Sequence, residues 1–249
     1  MLRGLVTILC LSGPVVLAEP PLPVEIDSMP APGGAEQLVF SPAYGLLFHR
    51  NAGSAIWVID VRAKTQVEQK AARGALTDMD LSPDGRILYA ADYSGEPPHG
   101  EDRKPSTVWR YDLKKREWLA AETAEAAYHV EAVDDGRFLV IGRQQQQDIR
   151  LCLFGAYAKE LSKVGGYAGD IEFDAVAGRV LYGTDGLSPA TVCAKKLWMD
   201  VLSEAEGKRV PAHAGSGALL SSDRKNFFYG KLQFDAMDRG VGQHGLQLL

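Results

Sequence analysis

The chain of 249 residues carries 27 Lys plus Arg against 32 Asp plus Glu, a formal net charge of −5. That balance excludes a protein built to bind nucleic-acid phosphates, which needs an excess of cations to displace counterions. Hydrophobic residues make up 46% of the chain, enough for a core, and three cysteines are too few for a disulfide framework.

In chain order, residues 1–18 read as a secretory signal peptide. Arg3 supplies the positive start, GLVTILCLSGPVVLA is the apolar stretch, and Val16 and Ala18 stand where a signal peptidase reads. Gly13-Pro14 interrupts the apolar run, which falls short of the about 20 residues of a membrane span. An uncleaved N-terminal anchor is the alternative reading. Cys10 follows the bulky Leu9, unlike a lipid-modified cysteine, which follows a small residue. Cleavage after Ala18 leaves residues 19–249 as a single domain, periplasmic or secreted.

Five segments then share one pattern, an apolar strand, a turn and a second apolar strand: 38–49, 79–90, 131–142, 171–183 and 218–230. The turn glycines Gly45, Gly85, Gly136 and Gly178 are spaced by 40, 51 and 42 residues. Asp-Gly and Ser-Pro-Asp-Gly favour hairpins, because Pro presets one dihedral and Gly accepts a positive one. A third strand is predicted after each hairpin, at 55–61, 107–113, 149–155, 196–202 and 244–249. A more polar fourth follows in TQVEQKA, REWLAAE, AKELSKV and KRVPAHA. Four short strands per repeat is the length of one β-propeller blade.

The fifth repeat shows no fourth strand before Leu249, while residues 21–30 alternate like a strand without a partner. Val24 lies 17 residues before Ser41, much as Val67 lies 15 before Ser82, so this segment takes a fourth-strand slot. The expected fold is therefore all-β, a propeller of five four-stranded blades closed by the N-terminal strand, which removes two exposed sheet edges. A fragment of a larger ring is the rival reading. A β-sandwich lacks the recurring strand order, and an α/β fold lacks helical patterns between strands.

Ser82-Pro83-Asp84-Gly85-Arg86 with Leu88-Tyr89, and the strands Trp57-Val58-Ile59-Asp60 and Trp109-Arg110-Tyr111-Asp112, resemble the bacterial secreted β-propellers of the YVTN/YncE-like type. The resemblance covers most of residues 19–249 and rests on scaffold features. It implies an extracytoplasmic propeller, often of seven blades, for which this chain is too short. No catalytic set comes with it.

Loops on one face of such a ring carry function. Aligned second strands end near Asp92, Arg143, Asp185 and Lys231, and aligned inner strands begin near Asp78, His129 and Asp170. These are the candidate ligand-binding residues. Asp78, Asp92, Asp170 and Asp185 offer the oxygen-rich set that Ca²⁺ takes, and turn capping is the competing reading. His49, His99, His129, His213 and His244 share no short metal spacing, yet each falls where it can face that side. Cys152 and Cys193 can form a disulfide only if neighbouring third strands come close enough, and no base is placed beside Cys152. Trp57 and Trp109 are equivalent by repeat and are expected to pack between blades.

The function expected is a binding or protein-interaction scaffold presenting loops 93–107 and 234–245 to a protein or small-molecule ligand, without nucleic acid and without a transmembrane span after cleavage. The alternative is a propeller enzyme, a lyase or metal-dependent hydrolase, using the rim carboxylates and His129. No metal or cofactor is identified by the residues.

Overall fold

Runs such as residues 87–91 are apolar at consecutive positions, so both faces of the strand must be covered. The computed structural model describes residues 36–51, 53–93, 105–142, 150–165, 169–183, 191–203, 207–209, 217–221, 224–230, 232–235 and 247–248. The first meander comprises β1 (Gln37–Ser41), β2 (Leu46–Arg50), β3 (Gly53–Asp60) and the long β4 (Thr65–Leu81). β5 (Ile87–Tyr93), β6 (Ser106–Asp112) and β7 (Glu117–Thr123) continue it into a seven-stranded antiparallel sheet. β8 (His129–Ala132), β9 (Arg137–Ile141), β10 (Arg150–Gly155) and β11 (Glu160–Gly165) form a four-stranded sheet. β12 (Ile171–Asp174), β13 (Arg179–Gly183) and β14 (Thr191–Trp198) follow, with β15 (Val201–Leu202) and β16 (Gly207–Arg209) both paired along β14. β17 (Ala218–Leu220), β18 (Asn226–Tyr229), β19 (Leu232–Asp235) and β20 (Gln247–Leu248) make the last sheet.

All five hairpins stand where the turn chemistry puts them. Gly45, Gly85 and Gly178 adopt φ of 65°, 72° and 60°, the left-handed region that glycine enters freely. Ser82 Oγ accepts the Ile87 N–H at 2.9 Å, and Ser221 Oγ accepts the Asn226 N–H at 3.0 Å, the same closure in two repeats. Asp60, Asp112 and Asp174 each cap the turn after their strand, accepting N–H groups two and three residues on.

Three expectations are corrected. The fourth strand of the first repeat and the first of the second are one 17-residue strand, β4, which pairs with β3 from Thr65 to Ala71 and again at Leu76, and with β5 from Ala75. It bends at Gly74, where a Cβ would stand 2.4 Å from the Tyr93 carbonyl oxygen, so only glycine fits. In the fourth repeat the third strand is β14, and 196–202 spans its hairpin into β15, because Met199 and Asp200 form the turn. In the fifth repeat β19 is the third strand, and the segment 244–249 supplies the fourth, β20, paired to Phe234 and Asp235. The slot assigned to residues 21–30 is thus held by the chain's own last strand. Residues 1–18 and 21–30 lie outside the described residues.

Successive repeats pack against one another through apolar layers. Phe48, Ile56 and Val58 meet Met79, Leu88 and Tyr111. Ile87, Tyr89 and Val108 meet Val130, Phe138 and Cys152. Leu139, Ile141 and Leu151 meet Val180, Tyr182 and Cys193, while Leu181 and Val192 meet Phe227 and Tyr229. Within β5, Leu88 and Ala90 face one layer and Ile87, Tyr89 and Ala91 the other, the period of two made visible. Each fully buried large side chain contributes about 1.5–3 kcal/mol. Cys152 and Cys193 are both buried and form no disulfide with each other, because they lie in different layers. At the ends of the series, Leu38 and Phe40 on β1 and Leu219 on β17 are exposed among the described residues. No helix among the described residues is long and apolar enough to cross a membrane.

The turns from third to fourth strand repeat a strained choice: Lys64, Arg116, Ala158 and Met199 all adopt φ of 52–57°. Met199 is 73% exposed, so its side chain contributes little packing. Met199→Gly should stabilise the protein by about 0.5–1 kcal/mol, the relief of left-handed strain less the added freedom of the unfolded chain. Thermal unfolding should show a midpoint about 2 °C higher; a lower midpoint would refute the strain argument.

Candidate functional site

Side chains two residues apart on a strand share a face. On the inner strands this places Asp78 and Asp80 of β4, His129 and Glu131 of β8, and the pair Asp170 and Glu172 at the start of β12 in two tiers. All six line one cavity of about 410 Å³, to which β1 contributes Gln37 and β17 Ala218.

The upper tier is a clamp on a histidine. His129 Nε2 donates to Asp170 Oδ1 at 2.8 Å, and its Nδ1 stands 3.4 Å from Asp78 Oδ2. Asp78 is fixed in turn: its Oδ1 accepts Gln37 Nε2 at 2.9 Å, and its Oδ2 accepts the Val130 N–H at 3.1 Å. Asp170 takes backbone N–H groups of Gly217 and Ala218. Gln37 is held by Arg50 Nε at 3.2 Å, and Arg50 Nη1 reaches Glu36 at 2.8 Å and the Leu76 carbonyl at 2.9 Å.

The lower tier ties neighbouring inner strands together. Ala132 N–H donates to Asp80 at 2.8 Å, and Phe173 N–H donates to Glu131 at 2.7 Å. Leu220 N–H donates to Glu172. Each carboxylate thus bonds the backbone of the next repeat, and its side chain still lines the cavity.

Charge is unbalanced in this space. Six carboxylates (Glu36, Asp78, Asp80, Glu131, Asp170 and Glu172) line it against Arg50 and His129. Burial opposes the charged imidazole, but the bonds to Asp170 and Asp78 outweigh it and push His129 up to about 9. Burial raises Asp170, and its bond to His129 overcomes this and leaves the carboxyl below its usual range. Burial, against the N–H bonds of Ala132 and Leu81, pushes Asp80 up to about 7. Burial and the nearby Asp80 push Glu172 up to about 7 as well. Glu131 is held well above the usual carboxylate range by burial, then by Asp80 and Glu172. His129 is therefore a cation at neutral pH, with both ring nitrogens committed to carboxylates. In the lower tier Asp80 and Glu172 are only partly ionised near neutral pH, and Glu131 is shifted in the same direction.

Of the residues predicted from sequence, Asp78, His129 and Asp170 come together. Asp92 does not join them. It is 2% exposed, and its oxygens accept the Arg73 N–H at 2.6 Å, the Gly74 N–H at 2.7 Å and Trp109 Nε1 at 2.8 Å. Its carboxylate is spent on the bend of β4. Arg143, Asp185 and Lys231 lie outside the described residues, as do His99, His213, His244 and nearly all of loops 93–107 and 234–245. His49 is buried and stacks on Trp57 with ring centroids 5.2 Å apart, away from the cavity lining. Of the expected Ca²⁺ set, Asp78 and Asp170 stand on either side of His129, Asp92 is engaged elsewhere, and Asp185 lies outside the described residues. Among the described residues the one group with ligand atoms within 4.8 Å of each other is Glu125, Cys152 and Glu160, outside the cavity.

Asp80, Glu131 and Glu172 were not anticipated. Their signal is a four-residue motif at three inner strands, Asp78-Met-Asp-Leu, His129-Val-Glu-Ala and Asp170-Ile-Glu-Phe, polar and apolar in alternation.

No protein-family model and no curated protein sequence matches this chain. Solved structures do. The β-propeller domain of Cps50 (Swd1) from Myceliophteria thermophila is similar over 89% of this chain and 72% of its own, with a TM-score of 0.63 and 13% identity. The chain folds as a β-propeller. A chain of a mitotic checkpoint complex is similar over 78% of this chain and 57% of its own, with a TM-score of 0.59 and 14% identity. The periplasmic gluconolactonase PpgL of Pseudomonas aeruginosa is similar over 82% of this chain and 66% of its own, with a TM-score of 0.57 and 13% identity. At such identities the likeness is one of fold. The chain spans less than two thirds of the checkpoint chain and about two thirds of the gluconolactonase. These propellers include one within a protein complex and one enzyme, so the fold leaves the function to the site.

Proposed function

We propose that this chain is an extracytoplasmic propeller of five four-stranded blades that serves as a binding module, with its ligand site in the axial cavity. The observation that carries the reading is the convergence of Asp78, His129 and Asp170 on one cavity of about 410 Å³, within the range of small-molecule sites. Five blades are supported by the lining itself, which draws on β1, β4, β8, β12 and β17. In a closed ring, Leu38 and Phe40 of the first blade bury against the fifth. An extracytoplasmic address is supported by residues 1–18 and by the periplasmic neighbour.

Binding fits this geometry better than hydrolysis or elimination. A general base needs a free lone pair and a pKa near the working pH. His129 has neither, with both nitrogens engaged and its pKa pushed up to about 9. The imidazolium instead fixes the two rim carboxylates in place. The enzyme reading retains one support, the 2.8 Å pair of His129 and Asp170.

The test is a small-molecule panel of cationic, neutral and anionic compounds, followed by histidine ring NMR on the full chain. A cavity ligand should shift the His129 signals and leave those of His49 in place. Binding should weaken about tenfold or more in Asp170→Asn and persist in the surface variant Arg62→Ala. Binding indifferent to Asp170→Asn, or no ligand in any charge class, would overturn the proposal.

A further inference from the structure

We infer that the axial cavity takes a linear diamine or polyamine, held end to end between its two tiers of carboxylates. The inference rests on the axial cavity being the ligand site and names the chemical class that the site selects.

The charge sets the sign of the ligand. Arg50 is already paired with Glu36, and His129 with Asp170 and Asp78. Among the described residues no cation pairs with Asp80, Glu131 or Glu172, although all three line the cavity. The spacing sets its shape. The tiers are two residues apart along each inner strand, a separation of about 6.6 Å. The ammonium groups of an extended four- or five-carbon diamine lie about as far apart. Among the described residues, the cavity's His, Asp and Glu side chains form no group of three with ligand atoms within 4.8 Å, a looser spacing than one bare metal ion draws together. The volume, about 410 Å³, is also that of an organic molecule.

Binding should release protons. The groups facing the lower tier are Asp78 and Asp80 from β4, His129 and Glu131 from β8, and Asp170 and Glu172 from β12. Glu36 and Arg50 from the β1–β2 hairpin complete the set. With Asp80 and Glu172 pushed up to about 7 and Glu131 raised in the same direction, these carboxyls carry part of their protons near neutral pH in the empty cavity. An ammonium arriving beside them favours the carboxylates, and the lost protons pass to the buffer.

The experiment is calorimetric titration of the full chain near neutral pH with 1,4-diaminobutane and spermidine. Butylamine, CaCl₂ and a neutral hexose serve as comparators, each run in two buffers of different ionisation enthalpy. The diamine should bind about tenfold or more tightly than butylamine, with proton release read from the buffer difference. Glu131→Gln should weaken it about tenfold, and Glu172→Gln provides a second variant if the first is misfolded by near-ultraviolet dichroism. Equal affinity for butylamine, tighter binding of Ca²⁺, or no proton release would overturn the inference. If the diamine does not bind but the hexose or another compound binds and is lost in Asp170→Asn, the cavity is the site and the diamine class is wrong. If nothing binds in an Asp170-dependent way, both fall.

Discussion

Asp92→Ala should destabilise the protein by about 4 kcal/mol, the largest single-residue effect expected outside the apolar layers. The carboxylate is 2% exposed and accepts three donors, the backbone N–H groups of Arg73 and Gly74 and the Trp109 indole. Alanine strands the buried Trp109 indole N–H, at about 1–3 kcal/mol, and removes the acceptor of the two part-buried backbone N–H groups, each bond contributing about 1 kcal/mol. Asp92→Asn should cost less, about 2 kcal/mol, because one amide oxygen remains while its NH₂ faces a donor. Urea unfolding monitored by tryptophan fluorescence measures both. A cost below about 1 kcal/mol for the alanine variant would show that water replaces the carboxylate. The damage should also reach the cavity. Asp92 secures the bend of β4, and Asp78 and Asp80 follow that bend by four and six residues from Gly74. The His129 ring signals should therefore broaden or shift in Asp92→Asn even where the protein remains folded.

That role explains why part of the site was legible in the sequence and part was not. Asp78 and Asp92 look alike as residues, each an Asp at the end of an apolar strand. Repeat alignment assigned both to the rim. Register separates them: in the β4–β5 pairing Asp78 opposes Ala91 while Asp92 opposes Leu76, and the irregularity between Leu76 and Asp78 turns the two carboxylates to different surroundings. A bulge of this kind has no compositional mark beyond Gly74. The hairpins, by contrast, were fully readable, because Ser-Pro-Asp-Gly and its relatives encode their own hydrogen bonds locally. The fourth and fifth repeats were misread for a related reason. Lys196–Leu202 holds enough apolar residues for one strand, yet Met199 enters the left-handed region and makes the segment a hairpin. A non-glycine residue at such a turn gives no advance sign.

The lower tier is not legible from strand ends, because Glu131 sits within one strand and Asp80 within another. An acidic residue inside a short apolar strand is costly unless something receives it. Here the next repeat's backbone N–H does so in three places, with Asp80, Glu131 and Glu172 as the acceptors. The inner strands do not hydrogen-bond to one another as a sheet, so these side chains supply bonds that neighbouring backbones cannot. The same necessity that joins neighbouring repeats concentrates carboxyls around the cavity they line, which joins the fold to the proposed binding.

Stability should fall as pH rises from about 5 to about 9, opposite to ordinary acid denaturation. Asp80 has a folded value of about 7 against an ordinary 3.8, and Glu172 about 7 against 4.5. Over the interval between those values the unfolded chain holds fewer protons than the folded one, so raising the pH favours unfolding. Glu131, also raised, acts in the same direction. His129 extends the decline: its stabilisation is complete below 6.5 and is lost as pH rises through about 9. Asp170 alone opposes them, and because its value is lowered from 3.8 its contribution is lost only at more acid pH. The predicted loss between pH 5 and pH 8 is on the order of 3 kcal/mol, discounted from the sum of the shifts because these half-buried carboxyls share protons. Urea midpoints at the two pH values measure it, and a flat or rising profile would refute the assigned protonation states. Glu131→Gln combined with Glu172→Gln should lessen the slope below pH 7, leaving the Asp80 contribution there and the His129 limb above it. Adding 1,4-diaminobutane should flatten the same region in the unmutated protein, because a ligand that prefers the ionised tier binds more tightly as the protons leave.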